Sequence, residues 1–142
     1  MKFTVLGCGS SLGTPAAGGF WGTCDPQEPK NRRNRASLLV QSQKTNVLID
    51  ASYDLRHQLN NVGLRKLDAV LISHAHGDHL ADAPAIARAL SIPVVGKYDL
   101  TSWLEIREGI ATVGFNNGGT VHLGDVAVTM VAASHSSSYA GE

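Results

Sequence analysis

The sequence predicts a mixed α/β fold, because short apolar strands alternate with helical segments along most of the chain. The chain has 142 residues, of which 43% are apolar, and this is enough to form one good hydrophobic core. It contains no internal repeat and no low-complexity segment. We therefore expect a single domain that spans residues 1–142.

Each element is assigned from its hydrophobic period and from the glycine, proline and asparagine residues that punctuate it. Strands are predicted near residues 2–7, 36–41, 45–50, 68–73, 93–96, 120–123 and 126–133. Helices are predicted near residues 53–61, 80–90 and 99–107. The stretch 13–35 has no period, so it is either an ordered loop near a site or a flexible one. Asn117-Gly118 suits a tight turn.

Charge and hydropathy argue against several classes of protein. Twelve basic and twelve acidic residues cancel, which argues against a general nucleic-acid coat or a membrane-surface protein. No apolar run approaches the roughly 18 residues of a membrane-spanning helix. The first strand leads into a glycine turn rather than into the pattern of a signal sequence. We therefore expect a cytoplasmic protein without a membrane partner.

The most informative segment is HAHGDH at residues 74–79, which follows an apolar strand directly. Imidazole nitrogens and carboxylate oxygens suit Zn²⁺, with Mn²⁺ or Fe as alternatives. His74 and His76 are two residues apart, so an extended backbone points both to one side, where they can hold one ion. Asp78 and His79 come where the chain turns into a helix, and they face a second ion. The alternative is a polar loop with incidental histidines.

Two such ions, about 3.5–4 Å apart, can share a hydroxide and stabilise both oxygens of a displacement reaction. The segment therefore predicts a hydrolase with one or two ions, in which metal-bound hydroxide is the nucleophile. Asp78 is the expected catalytic residue, because its carboxylate can orient the hydroxide or take its proton.

The segment resembles the H-x-H-x-D-H motif of the metallo-β-lactamase superfamily. The resemblance implies that His74, His76 and a later histidine bind the first ion, and that Asp78 and His79 bind the second. His135 follows another apolar strand, at the place where the family has its third histidine. The alternative for His135 is an ordinary histidine in a polar loop.

Asp50 ends a further apolar strand and corresponds to the aspartate of the family's first motif. Such a carboxylate can accept hydrogen bonds from the histidine loop and fix the orientation of a metal ligand from outside the coordination sphere. Turn initiation before the helix at 53–61 is the alternative role.

The front of the chain, at 7–15, 20–25 and 29–37, resembles the phosphoribosyl cyclic phosphate phosphodiesterases and, more weakly, the tRNA 3′-processing ribonucleases. Both groups are phosphodiesterases. Arg32 and Arg33 are therefore candidate substrate-binding residues, since guanidinium groups pair with phosphate oxygens. The alternative is a solvated basic face beside nearby acidic residues.

The back of the chain, at 78–88, 98–104, 117–120 and 128–138, resembles the uncharacterised metal-dependent hydrolases related to ascorbate-phosphate lactonases. Front and back thus resemble different branches of one superfamily. This fits a recombinant or engineered chain, or a divergent natural one, and the sequence leaves these origins open.

Family members run to roughly 200 residues or more, the size of one domain, and pack two similar halves into an αββα sandwich. This chain ends seven residues after His135. The resemblance therefore implies an incomplete domain, the amino-terminal half plus the start of the second half. The bridging aspartate and last histidine of the second ion site have no matching positions. An apolar face on the strands at 46–50, 68–73 and 126–133 should then be exposed, which predicts a homo-oligomer, most simply a dimer.

The sequence thus predicts a metal-dependent hydrolase, a phosphodiesterase that acts on a small phosphodiester. RNA is the less favoured substrate. One alternative is a lactonase-type hydrolase of the same fold, which would attack a carbonyl carbon. The other is an inactive or weakly active metal-binding fragment, truncated or engineered.

Overall fold

A six-stranded mixed sheet forms the centre of the computed structural model, which describes residues 1–135. Its strands, in spatial order, are β1 (Lys2–Gly7), β2 (Ser37–Gln41), β3 (Asn46–Ile49), β4 (Ala69–Leu71), β5 (Val94–Lys97) and β6 (Thr112–Phe115). β1, β2 and β3 pair antiparallel, whereas β3 to β6 pair parallel. A separate antiparallel hairpin consists of β7 (Thr120–Leu123) and β8 (Val126–Thr129).

The parallel strands are joined by helical crossovers, as parallel pairing requires. The α-helices of the described residues are α1 (Leu55–Asn61), α2 (Gly77–Leu80), α3 (Ala83–Leu90) and α4 (Tyr98–Glu108). These crossovers bring the carboxyl ends of β3, β4 and β5 to one edge of the sheet, where open α/β sheets form their ligand sites. Within residues 1–135, no helix has the length and apolar character needed to cross a membrane.

Alternate residues of the strands pack into two separate cores, one on each face of the sheet. The face toward the helices includes Leu39, Leu48, Val70 and Val94. Helices α1 and α4 cover it with Leu55, Leu100 and Leu104. The opposite face includes Val40, Val47, Leu71 and Val95, and it is covered by Leu123 and Val126 of the hairpin. This gives the layer order of helices, sheet and hairpin.

The predicted exposure of the strands at 46–50 and 68–73 is wrong, whereas in the stretch 126–133 Val126 is the one buried residue. Val47 is 1% exposed and Leu71 is 9% exposed, because the hairpin packs on this side of the sheet. The last strand ends at Thr129 rather than at 133. Its buried residue Val126 packs in the same core, and Val128 is partly buried against it. The sequence pattern correctly marked these residues as apolar, but it did not indicate that the chain's own hairpin would cover them.

One edge of that face does stay open. Phe3 pairs with Val40 and Val5 with Leu38, so these β1 side chains lie on the hairpin side of the sheet. Phe3 is 62% exposed and Val5 is 66% exposed. The apolar face that remains accessible in the described chain is therefore a strip along the edge strand β1.

Other element boundaries also differ from the prediction. The predicted helix 80–90 is two helices, since α2 ends at Leu80 and α3 starts afresh with Pro84 in its first turn, where proline is favoured. Strand β6, which contains a glycine, was not predicted from the sequence. A Cβ at Gly114 would lie 2.6 Å from Oγ1 of Thr101, so the glycine lets α4 pack closely on this strand.

The irregular stretch 13–35 is ordered by pairing within the front of the chain. Thr14 and Arg33 exchange two backbone hydrogen bonds of 2.9 Å each. A Cβ at Gly7 would lie only 2.1 Å from the carbonyl oxygen of Arg35. Glycine at position 7 thus permits the first strand and this stretch to approach each other, and the ordered-loop alternative is the one that the structure contains.

Candidate metal centre

The loop between β4 and α2 carries the histidines to the carboxyl edge of the sheet. β4 ends at Leu71 and α2 begins at Gly77, so His74 and His76 lie on extended or irregular backbone between them. His76 has φ −65° and ψ 142°, and its carbonyl accepts the backbone N–H of His79. The turn into α2 therefore places Asp78 and His79 beside the first pair.

Three histidine side chains converge at this edge. Nε2 of His74 lies 3.0 Å from Nδ1 of His76, and the potential ligand atoms of His74, His76 and His135 all lie within 4.8 Å of one another. Two nitrogens at about 2.0–2.1 Å from a tetrahedral zinc ion are about 3.3 Å apart. The donor set and its spacing therefore fit one ion. In residues 1–135 this is the one group of three such side chains.

The electrostatic environment of His74 favours the neutral form of its ring. Burial lowers the pKa of His74, and the neighbouring His79, His76 and His135 lower it further against the opposing effect of Asp50. His74 is therefore neutral at neutral pH. A neutral imidazole is the form that binds a metal ion, because the ion and the proton compete for the same lone pair.

Asp78 and His79 form a second pair of potential ligands. Nε2 of His79 lies 3.3 Å from Oδ2 of Asp78, while Nδ1 of the same ring lies 2.7 Å from Oδ2 of Asp50. The ring thus donates its Nδ1–H to Asp50 and turns Nε2 toward the Asp78 carboxylate. The 3.3 Å separation again suits two ligands of one tetrahedral ion, which are about that far apart.

Asp78 is ionised at neutral pH. Burial alone would raise the pKa of Asp78, but a side-chain hydrogen bond from Ser11 and the nearby His79 and His74 outweigh it and hold the pKa below its usual range. The Asp78 carboxylate is therefore available as an acceptor or as a ligand.

Asp50 lies beneath both pairs. It is 7% exposed and has φ +64°, a left-handed conformation that Asp adopts more readily than most residues. Oδ1 accepts the backbone N–H of Ser73 at 2.8 Å, and Oδ2 accepts the Ser73 hydroxyl at 2.7 Å besides Nδ1–H of His79. Its carboxylate thus faces the histidine loop. The residue at the start of α1 is Asp54.

Two serines of this centre were missed by the sequence analysis. Ser73 contacts Asp50 and also lies, through Oγ, 2.9 Å from Nδ1 of His74. Ser11 reaches Asp78 from the front of the chain. The position of Ser73 directly before the first histidine was a possible signal, whereas Ser11 is 67 residues from Asp78 and no local pattern connects them.

Arg32 and Arg33 do not contact the histidines. With Lys30 they line a separate cavity of about 590 Å³, and Arg32 lies 4.9 Å from the centre of the Trp21 ring. The pocket that contains His74 and His135 has about 310 Å³. Ser11 bonds Asp78, and the next two residues of the chain, Leu12 and Gly13, line the basic cavity.

The second ion site has few further ligands in the described chain. Asp125 and His122 match by residue type, but both are exposed on the hairpin and Asp125 bonds Ser42 instead. Asp99 lines the pocket of His74, where it lies 3.7 Å from the ammonium of Lys97. Asp78 and His79 are thus the two ligands that residues 1–135 bring to this site.

Comparisons with known sequences agree with this geometry. Residues 45–142 match the family model described as "Beta-lactamase superfamily domain". A UPF0173 metal-dependent hydrolase of Cereibacter sphaeroides is 59% identical over 73 residues, which cover 51% of this chain and 32% of that protein. Another, from Dinoroseobacter shibae, is 64% identical over 69 residues, 49% of this chain and 30% of that protein. The chain thus spans about a third of the length of these curated relatives.

Solved structures show the same fold. A diphosphatase from the PhnP family has a TM-score of 0.71 and 29% identity, over 85% of this chain and 52% of that one. Zn²⁺-bound PqqB from Methylobacterium extorquens has a TM-score of 0.74 over 93% of this chain and 56% of that one, but its 16% identity supports the fold alone. The predicted family and α/β fold class are confirmed. Because the family model matches more than half of the chain, the chain belongs to the beta-lactamase superfamily, and it has the metallo-β-lactamase fold.

Proposed function

We propose that the protein is a metal-dependent hydrolase that cleaves phosphodiesters. The observation that carries this proposal is the convergence of His74, His76 and His135, with ligand atoms within 4.8 Å of one another, beside the pair of Asp78 and His79. A set rich in imidazole suits zinc, with Mn²⁺ or Fe as alternatives. The names of the relatives support the general class, since they are metal-dependent hydrolases.

The residues divide into roles that follow from their contacts. His74, His76 and His135 would hold the first ion, and Asp78 with His79 would hold the second. A bound divalent ion supplies a strongly acidified water and an electrophile for a phosphoryl oxygen. Asp78, which is ionised, can orient the attacking water or accept its proton at a carboxylate oxygen. Asp50 keeps a proton on Nδ1 of His79.

The basic cavity supports a phosphate-containing substrate. Lys30, Arg32 and Arg33 have no acidic side chain as a partner among residues 1–135, so their charges are free to bind an anion. Planar guanidinium groups bind phosphate oxygens in pairs. Ser11, which bonds Asp78, directly precedes two residues that line the cavity, and a neighbour at 29% identity is a diphosphatase.

A lactonase-type hydrolase is the second candidate, because of the pocket at the first ion site. Besides His74 and His135, this pocket is lined on one part by apolar side chains that include Leu100, Met130 and Val131, and on another by Ser73, Lys97, Asp99 and Asn117. The apolar part of this lining suits an uncharged ester or lactone better than an anionic phosphodiester. The carbonyl carbon would then be the point of attack, with the same metal ligands.

Hydrolysis rates on three substrates test the proposal. We expect bis-p-nitrophenyl phosphate to be cleaved faster than p-nitrophenyl phosphate or a lactone. Arg32→Ala and Arg33→Ala should each raise KM for a phosphodiester by about tenfold, the effect of losing one charge-assisted hydrogen bond. Lys44→Ala, an exposed cation outside the cavity, should leave KM unchanged. Preference for the lactone would favour the second candidate, and bound metal without turnover would favour an inactive fragment.

We also propose that a second copy of the chain covers the open edge of the sheet. Phe3 and Val5 continue the buried hairpin-side face on the edge strand β1, and apolar edge strands seldom stay uncovered. Light scattering at micromolar concentration should give a dimer, which Phe3→Lys and Val5→Lys together should dissociate. A monomeric wild-type protein would contradict this proposal.

A further inference from the structure

Ser73 connects the two candidate ion sites through a single carboxylate. Its backbone N–H donates to Oδ1 of Asp50 at 2.8 Å, and its hydroxyl lies 2.7 Å from Oδ2. The same hydroxyl lies 2.9 Å from Nδ1 of His74. Oδ2 of Asp50 also accepts Nδ1–H of His79 at 2.7 Å. One carboxylate therefore contacts the first ion site through Ser73 and the second directly.

The position of each proton follows from the number of donors. A serine hydroxyl has one proton, and an ionised carboxylate is only an acceptor. The Ser73 hydroxyl must therefore donate to Asp50, and its oxygen is left to accept a hydrogen bond from His74. This bond requires the proton of the neutral His74 ring to be on Nδ1. The lone pair is then on Nε2, the atom that lies 3.0 Å from Nδ1 of His76.

We infer that Ser73 is a positioning residue that holds His74 in the Nδ1–H tautomer and so presents Nε2 to the first ion. Asp50 does the same for His79 without an intermediary, and thereby presents Nε2 of that ring to the second ion. The role of Ser73 in ion binding rests on the proposed function, whereas the tautomer of His74 does not. Ser73 thus acts on one site, and Asp50 acts on both.

The geometry separates this role from simple support of the loop. The backbone N–H of Ser73 supplies the bond to Oδ1 of Asp50, and this bond survives when the hydroxyl is removed. Ser73→Ala therefore keeps the backbone bond that tethers the loop to Oδ1 of Asp50, and deletes the contacts of the hydroxyl to Oδ2 of Asp50 and to His74. Ser73→Thr keeps a hydroxyl on the same carbon and should restore these contacts.

The first measurement is the ¹⁵N chemical shift of the His74 ring in the metal-free, full-length chain. We expect the wild type and Ser73→Thr to show a protonated Nδ1, and Ser73→Ala to show a mixture of both tautomers. The second is zinc affinity by competition with a chelator. Ser73→Ala should lower the zinc affinity of the first ion site by about 10–100-fold, the usual effect of losing a partner that orients a histidine ligand. The zinc affinity of the second ion site should be unchanged.

Ser102→Ala is the matched control, because Ser102 is a half-buried serine of α4, away from the histidine loop. It should leave both measurements at wild-type values. A wild-type tautomer in Ser73→Ala, or equal zinc affinity in Ser73→Ala and wild type, would overturn the inference. Failure of the wild type to bind zinc would overturn the proposed function instead, and the ¹⁵N shifts would still decide the role of Ser73.

Discussion

His76→Ala is expected to leave the protein almost without its first metal ion. His76 supplies one of three converging imidazoles, and its Nδ1 lies 3.0 Å from Nε2 of His74. Protein sites with four ligands bind zinc with a free energy of about 10–16 kcal/mol, which corresponds to about 3 kcal/mol per ligand. Loss of one ligand should therefore weaken binding by on the order of 100-fold.

Metal content per chain, measured by mass spectrometry after dialysis, tests this expectation. The thermal midpoint should also respond, because an ion that binds only the folded state stabilises it, and the chelator-sensitive part of that stability should disappear in His76→Ala. His57→Ala is the control, since His57 is exposed on α1 and its ring contacts Asn61. An unchanged metal-to-protein ratio in His76→Ala would show that the histidines do not bind the ion.

Asp50→Ala should have the largest effect on stability that does not require metal. Three donors meet this buried carboxylate, the N–H and hydroxyl of Ser73 and Nδ1–H of His79. Each donor left without a partner costs about 1–3 kcal/mol. We therefore expect a loss of about 3–5 kcal/mol in the free energy of unfolding. Affinity should fall at both ion sites by about 10–100-fold, because both depend on this residue for ligand orientation.

Urea unfolding in the presence of a chelator isolates the structural part of the Asp50 effect. Asp50→Asn should lie between the wild type and Asp50→Ala, because an amide keeps one acceptor oxygen. Asp25→Asn is the control, as Asp25 is exposed and accepts one local hydrogen bond from Gln27. A metal-free Asp50→Ala protein with wild-type stability would mean that water satisfies the three donors.

The convergence of the histidines was largely predictable because their positions are local in sequence. Residues 74–79 follow one strand, so their spacing fixes which side chains can meet. His135 and Asp50 required the family resemblance, since they come from other strand ends. The contact of Ser11 with Asp78 could not be predicted from the sequence, because it depends on how the front loop packs across the sheet edge.

The fold was predictable at the level of strand and helix positions but not of layer contacts. Continuous apolar runs identified β3 and β4 as apolar strands, and this property is set within each strand. Which element covers a face depends on chain connectivity, and the hairpin that buries Val47 and Leu71 begins only at Thr120, far along the chain from both. β6 was missed because its glycine serves the close packing of α4 rather than a strand pattern.

The path from the hairpin to His135 would give a bound ion a mechanical role. The hairpin packs through Leu123 and Val126 on one face of the sheet, and the same segment continues to His135 at the sheet edge. An ion held by His76 and His135 would act as a cross-link that closes the long chain loop between these two residues. It would thereby reduce the conformational entropy of the state in which the hairpin is detached from the sheet. Attachment of the hairpin and occupancy of the ion site would then be thermodynamically linked, each favouring the other across the thickness of the sheet.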